Sequence, residues 1–384
     1  MTIIAVYVRR VMVGYFFLNE TIGGCRYMAA DKPERNSKAK TTGVKRSMQY
    51  ELGNMNAQRF KSHFDTICDN IETVIKGKTD VVRLTLVGII CEGHILYEDV
   101  PGTGKSMLAR AMAQSMDATN SRVQCTPDML PGDITGSSIY DAKKGEFEFR
   151  PGPVFTNVLL ADEINRATPK TQSALLEAMG ERKVSADGTT YLLPRPFLVL
   201  ATQNPVEQAG TFPLPEAQLD RFLFKMSMGY MDREAEYEVM FDNQVQLSVE
   251  DLGPVTDTAI VSQMIAYGAT INVSPEVAYY IVDLVGASRQ DPATSLGGSP
   301  RASIALLRAS RVLAASDGRE DVYPDDVRAV LTPIMAHRII LNPDAILRGE
   351  TVEAVVERIV TKVKPPTSGG SSRSAGKELS AADK

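Results

Sequence analysis

Glu98-Asp99-Val100-Pro101-Gly102-Thr103-Gly104-Lys105-Ser106 stands between the apolar run Ile95-Leu96-Tyr97 and the helix-forming Met107-Leu108-Ala109-Arg110-Ala111-Met112-Ala113. That order predicts strand, phosphate-binding loop and helix. Gly102 and Gly104 let the backbone turn sharply and aim successive N–H groups at phosphate oxygens, and the helix beginning near Lys105 points its positive dipole end at the same place. Pro101, Gly102, Thr103, Gly104, Lys105, Ser106 and Met107 are therefore the expected nucleotide-binding residues. Lys105 is placed to bridge the β- and γ-phosphates, and the Ser106 hydroxyl to hold Mg²⁺. The strict phosphate-loop pattern has glycine where this chain has Asp99. The assignment rests on the last five positions and their flanks, because the first glycine makes the least direct phosphate contact.

A second stretch supplies the acids. Val158-Leu159-Leu160-Ala161-Asp162-Glu163 reads as a strand buried on both faces and ending in two carboxylates. Ligands of open α/β sheets sit at that end of the strands. Asp162 is expected to hold Mg²⁺ through its water shell and Glu163 to polarise the attacking water; as isolated residues the two acids would cap the next helix. Phe197-Leu198-Val199-Leu200-Ala201-Thr202-Gln203-Asn204 is another buried strand, which brings Asn204 towards the γ-phosphate or the lytic water, unless it merely starts the turn before Pro205. Arg221, in Leu219-Asp220-Arg221-Phe222, has two readings: a charge lent to a neighbouring subunit's nucleotide, or a pair with Asp220 or another acid. Arg301, after Ser299-Pro300, opens a helix and either folds onto the γ-phosphate or lies solvated in the first turn.

The rest of the chain sets the frame. Its 384 residues suggest two or three domains, and a net charge of −5 gives no overall footprint for nucleic acid. Cys25, Cys68, Cys91 and Cys125 are scattered with no C-x-x-C pair, which argues against a disulfide framework or zinc site and fits a reducing cytoplasm. The apolar start is split by Arg9 and Arg10, so neither a membrane span nor a signal peptide fits, and membrane association is not expected. Residues 1–55 read as a non-core extension, polar and basic in its later half. Phe60, Phe64, Ile67 and Ile71 mark a helix that breaks at Gly77-Lys78; Gly145 to Gly152 alternates apolar and acidic residues as a half-buried ribbon, a candidate pore or partner loop, or equally as a simple solvated hairpin; residues 181 to 193 form a hairpin turning at Asp187-Gly188. Helices dominate from about residue 232, and residues 365–384 form a flexible tail.

In order and spacing these strings resemble the AAA+ ATPases, and within them the MoxR family, over roughly residues 58 to 364. Further strings carry the resemblance: Thr135-Gly136-Ser137-Ser138-Ile139-Tyr140, Leu160-Ala161-Asp162-Glu163-Ile164-Asn165-Arg166-Ala167, Ala201-Thr202-Gln203-Asn204-Pro205 and Ser299-Pro300-Arg301-Ala302-Ser303. The resemblance implies an α/β fold with a parallel central sheet over residues 56–230 and a small all-α lid over 231–364. It makes Lys105 the Walker A lysine, Asp162 and Glu163 the Walker B acids, Asn204 sensor 1, Arg221 an arginine finger and Arg301 sensor 2. It also places the Gly77 turn beside adenine, although a plain helix break explains Gly77 equally well. ATP and Mg²⁺ follow as cofactors, and a homo-oligomer, a hexameric ring, with a chaperone-like role towards a protein client, often one with a von Willebrand factor A domain. The ribbon and the hairpin resemble the helix-2 insert and pre-sensor hairpin, facing a ring pore. A magnesium-chelatase ATPase subunit and a nucleotide-regulated transcription or scaffold protein are the alternatives.

Overall fold

Apolar residues at helical spacing bury one stripe of α1 (Ala57–Glu72), whose N-terminus is capped by the Asn56 side chain accepting from Arg59 N–H. The computed structural model describes residues 51–99, 102–205, 210–230, 233–234, 236–237 and 249–366. The extension up to residue 50, Pro101 and the tail from residue 367 lie outside them. After a turn in which Gly77 takes positive φ, α2 (Thr79–Ile90) leads to β1 (His94–Glu98), and α3 (Lys105–Ser115) follows the phosphate loop. Then come β2 (Asn120–Gln124), the single turn α4 (Pro131–Thr135) and the ribbon β3 (Gly136–Asp141) and β4 (Glu146–Pro151). Beyond it, β5 (Val158–Asp162) precedes α5 (Pro169–Glu181), with Pro169 in its first turn and Thr168 at its N-cap.

The hairpin β6 (Lys183–Ala186) and β7 (Thr189–Leu192) turns at Asp187 and Gly188, both at positive φ, as a two-residue turn matched to strand twist requires. The chain continues through β8 (Leu198–Gln203), α6 (Glu216–Leu219) and β9 (Phe222–Met226). Five strands form one sheet in the order β2-β5-β8-β1-β9, every pair parallel. The central strands feed two apolar layers alternately: Ile95, Tyr97, Val158 and Leu160 face one cluster, and Leu96, Leu159 and Ala161 the other.

The first of those clusters runs on into the helical part: α7 (Thr258–Gly268), α8 (Pro275–Ser288), β10 (Thr294–Leu296), α9 (Pro300–Ser316), α10 (Pro324–Met335), β11 (Ile340–Leu341), α11 (Pro343–Leu347) and α12 (Val352–Lys362). Ser274 and Ser299 cap α8 and α9, each followed by proline, as expected. The lid adds one short antiparallel pair, β10 with β11, to its helices. Among the described residues no helix is long and apolar enough to cross a membrane.

Of the two forms expected for the ribbon, its exposure matches the solvated hairpin and not the half-buried one. Both its strands are largely exposed; Phe147 is 74% exposed and, among ring contacts of the described residues, meets only Tyr140 of the ribbon itself, whereas Phe149 stacks on Tyr191 of the hairpin at 4.1 Å between ring centroids and meets Phe155 edge-on. Alternation signals one packed face, but among the described residues no sheet or helix lies against most of that face.

His94 locks β1 to its surroundings: its Nδ1 accepts from Val199 N–H at 3.0 Å, which leaves Nε2–H to donate to the Met179 carbonyl at 3.1 Å. Burial pushes its pKa down from 6.5 to about 4. The native state therefore stays unprotonated in a window where the unfolded chain takes up a proton, so stability is lost as pH falls below about 6.5. We expect the unfolding free energy to drop by about 2 kcal/mol between pH 7.5 and pH 5 on account of His94. Urea denaturation across that range checks it; a flat profile, or one rising towards pH 5, would contradict it.

Candidate active site

The phosphate loop closes a cavity of about 410 Å³ at the carboxyl ends of β1, β5 and β8, lined by Gly102, Thr103, Gly104, Lys105, Ser106 and Met107 on one side and by Asp162, Glu163, Thr202 and Asn204 on the other. Gly102 (φ 84°) and Gly104 (φ 90°) adopt the left-handed backbone that aims the loop N–H groups inward. Lys105 is buried and its Nζ donates to Thr103 Oγ1 at 3.1 Å. Asp99, in place of glycine, anchors the loop: its Oδ2 accepts from Thr103 Oγ1 (3.2 Å), Met228 N–H (2.8 Å) and Gly229 N–H (3.1 Å). Gly77 does not line this cavity. Its neighbour Lys78 donates from Nζ to the Tyr230 carbonyl at 2.6 Å, next to the segment that holds Asp99.

Asp162 ends β5 and Glu163 turns away from it with φ 54°, a left-handed conformation that strains a side-chain-bearing residue. One hydroxyl stabilises the pair: Thr202 Oγ1 donates to Asp162 Oδ1 at 2.6 Å and accepts from Glu163 N–H at 2.8 Å. Arg122 donates to Asp162 Oδ2 at 2.7 Å, while Gln124 (2.9 Å) and Arg166 (3.0 Å) both donate to Glu163 Oε2. The parallel register of β2 and β5, which pairs Gln124 with Asp162, is what brings Arg122 and Gln124 to these acids. Asn204 is buried at the end of β8, its carbonyl facing the Asn165 amide at 3.4 Å. Burial, then the charges of Asp162 and Glu163, push the Cys125 thiol up to about 12, so it is no nucleophile at neutral pH.

One hydroxyl at Ser106 and one carboxylate at Asp162 are a donor set suited to Mg²⁺, which keeps most of its waters and takes substrate phosphate oxygens instead of a full protein cage. The metal would compete with Arg122 for Asp162 Oδ2.

Arg221 and Arg301 lie elsewhere. They line a separate cavity of about 390 Å³ with Arg182, Arg195, Arg308 and Arg338, and none of its lining residues is shared with the phosphate-loop cavity. Arg221 is exposed and donates to the Leu176 carbonyl at 2.7 Å, lying across α5 where Gly180 has no Cβ to obstruct it. Asp220 does not pair with it; that carboxylate goes to Arg338 at 2.7 Å, with Arg301 3.9 Å from its other oxygen. Arg301, expected either to fold onto the γ-phosphate or to lie solvated in the first turn, is presented by α9 beside Arg221 and does not line the phosphate-loop cavity of its own chain.

Residues 94–224 match the family described as ATPase family associated with various cellular activities (AAA), and residues 286–359 match the AAA lid domain. Over 305 residues the chain is 40% identical to Chaperone MoxR1 of Mycobacterium tuberculosis, covering 77% of this chain and 80% of that one. The chain belongs to the MoxR family of AAA+ ATPases. It is also 47% identical over 298 residues to the uncharacterized protein YeaC of Bacillus subtilis, covering 78% of this chain and 93% of the relative. The crystal structure of a putative ATPase from Cytophaga hutchinsonii superposes with a TM-score of 0.77 at 39% identity, covering 81% of this chain and 97% of that one. As a MoxR-family protein the chain is an ATP-hydrolysing enzyme with a parallel-sheet AAA domain followed by a helical lid.

Several residues of this MoxR-family site escape a reading of the sequence. Thr202 and Gln124 are unremarkable polar residues at strand ends, and Arg122 alternates with Gln124 on the edge strand; only the sheet order reveals what they touch. Asp99 does carry a signal, since a carboxylate replacing the first glycine of a phosphate loop needs donors, and the two N–H groups at 228 and 229 supply them.

Proposed function

We propose that the chain is a ring-forming, Mg²⁺-dependent ATPase that remodels or matures a protein partner, with each nucleotide bound between two copies. The observation that carries this reading is the separation of Arg221 and Arg301 from the phosphate-loop cavity of their own chain. A transferring phosphoryl group needs cationic stabilisation beyond Lys105, and an arginine supplied by a neighbour meets that need. In this reading Lys105 grips the β- and γ-phosphates, Gly102 to Met107 wrap them, Glu163 takes up the proton of the attacking water, and Asn204 orients that water. Arg221 and Arg301 meet the phosphates of the adjacent copy. Mg²⁺, held by Ser106 and Asp162, would neutralise charge on the phosphate oxygens. We divide the working unit into residues 56–230 and the lid over 231–364, with six copies to a ring. The name of the Mycobacterium relative supports a chaperone-like output; a client carrying a von Willebrand factor A domain is our specific candidate.

The test is ATP turnover by Arg221→Ala and Glu163→Gln proteins, alone and mixed in equal amounts. Each alone is expected to lose at least about 10²-fold in kcat, and the mixture to regain a readily measured fraction, because it contains sites with Glu163 from one copy and Arg221 from the next. A mixture that co-assembles and stays inactive would remove Arg221 from this role.

A further inference from the structure

Arg338 follows α10 in the lid, its side chain only 4% exposed, yet among the described residues its hydrogen bonds across the molecule all go to Asp220, Phe222 and Leu223, the three residues that flank Arg221. Its Nε donates to Asp220 Oδ1 at 2.7 Å. Its Nη2 donates to the carbonyls of Phe222 at 2.7 Å and Asp220 at 3.4 Å, and its Nη1 to that of Leu223 at 3.2 Å. A further bond, to the Ile334 carbonyl, fixes the guanidinium to its own helix. His337, the preceding residue, donates from Nε2 to the Phe222 carbonyl at 3.0 Å. Ser299, the N-cap of α9, donates to the second oxygen of Asp220 at 3.1 Å. The turn that carries Arg221 is thus held on both flanks by lid residues, while the Arg221 side chain keeps a single hydrogen bond, to the Leu176 carbonyl, among the described residues.

A buried arginine paired with one carboxylate is weak as a source of stability, because desolvation offsets the attraction. Its value here is geometric. The planar fork holds its donors in fixed directions towards several acceptors, whereas the three donors of an ammonium group rotate about a single point. It also removes Asp220 as a partner for Arg221, the competing reading left open by the sequence alone.

We propose that Arg338 is a positioning residue for Arg221: from the lid it fixes the 220–223 turn, so the lid of one chain sets the direction in which Arg221 is offered to the next copy's nucleotide. This rests on the reading of Arg221 given above. Arg338 touches no nucleotide bound in its own chain's phosphate loop, so its loss leaves that cleft intact and acts on the neighbour's turnover.

The experiment uses the full chain with Arg338→Lys, which keeps the charge and loses the fork, beside Arg221→Ala. Expected for Arg338→Lys are a fall in kcat of about tenfold or more, affinity for a fluorescent ATP analogue within about twofold of the parent, and recovery of turnover on mixing with Glu163→Gln. Recovery follows because the Glu163→Gln copies bring an undisturbed 220–223 turn. Unchanged kcat overturns the proposal, as does joint loss of affinity and turnover. So does absence of recovery when the Arg221→Ala and Glu163→Gln mixture does recover. If that reference mixture fails, the reading of Arg221 falls and takes this inference with it. Should Arg338→Lys not fold, Asp220→Asn, which keeps the size of the side chain but replaces one of its two acceptor oxygens by an amide donor and so weakens the clamp, must give the same pattern of lowered kcat, retained affinity and recovery.

Discussion

Glu163→Gln is expected to bind ATP with an affinity within a few-fold of the parent and to hydrolyse it at least about 10²-fold more slowly. The substitution keeps size and shape but removes the proton acceptor. Its backbone strain is unaffected, because the Thr202 hydroxyl bonds the residue's N–H and not its side chain. Glutamine can still offer its Oε1 to Gln124 and Arg166, which now both donate to Glu163 Oε2 at 2.9 and 3.0 Å, so the local packing has no reason to collapse. Lys105 and the glycine backbone, the phosphate-gripping groups in the proposed reading, are untouched. Equilibrium binding of a fluorescent nucleotide together with single-turnover phosphate release separates the two effects. Turnover within about threefold of the parent would show that proton removal from water is not assigned to Glu163.

Asp99→Gly brings the loop to the strict phosphate-binding pattern, and we expect it to damage the protein. Among the described residues the Asp99 carboxylate accepts from Thr103 and from the backbone N–H groups of Met228 and Gly229. Leaving a buried donor unsatisfied costs about 1–3 kcal/mol, and added glycine freedom costs about a further 0.5–1 kcal/mol. A loss of about 3 kcal/mol of unfolding free energy is the expected outcome, with a rise in KM for ATP of about tenfold because the loop is no longer preset. Asp99→Asn, which keeps an acceptor oxygen, should fall between the parent and the glycine variant. Denaturant unfolding and steady-state kinetics read both quantities, and a glycine variant equal to the parent in each would show that the anchor contributes nothing.

The sheet is legible in the sequence because strands buried on both faces read as unbroken apolar runs: Val158 to Ala161 and Leu198 to Ala201 have no polar interruption and end where the chemistry begins. The phosphate loop is legible because glycine is needed where φ is positive, at 102 and 104. Contacts that depend on register or on distant segments are not. Gln124 meets Glu163 only because β2 lies beside β5, and Arg338 meets Asp220 across 118 positions of chain. The ribbon shows the opposite error: Phe147 and Phe149 alternate with glutamates as a packed strand would, yet Phe149 meets aromatic partners while Phe147 stands largely in solvent, against Tyr140 alone among ring contacts.

Helix α5 links the two cavities. It begins shortly after Glu163, and two turns along it the carbonyl of Leu176 holds Arg221, whose guanidinium also lies over Gly180 in the last turn. Glu163 in the phosphate-loop cavity and Arg221 in the other cavity are therefore tied to the same stiff strut. Leu176 sits roughly 10 Å along the helix at 1.5 Å per residue, so a tilt of about 5° pivoting at its start moves the arginine's perch by about an ångström, the tolerance on which a well-aligned reaction depends.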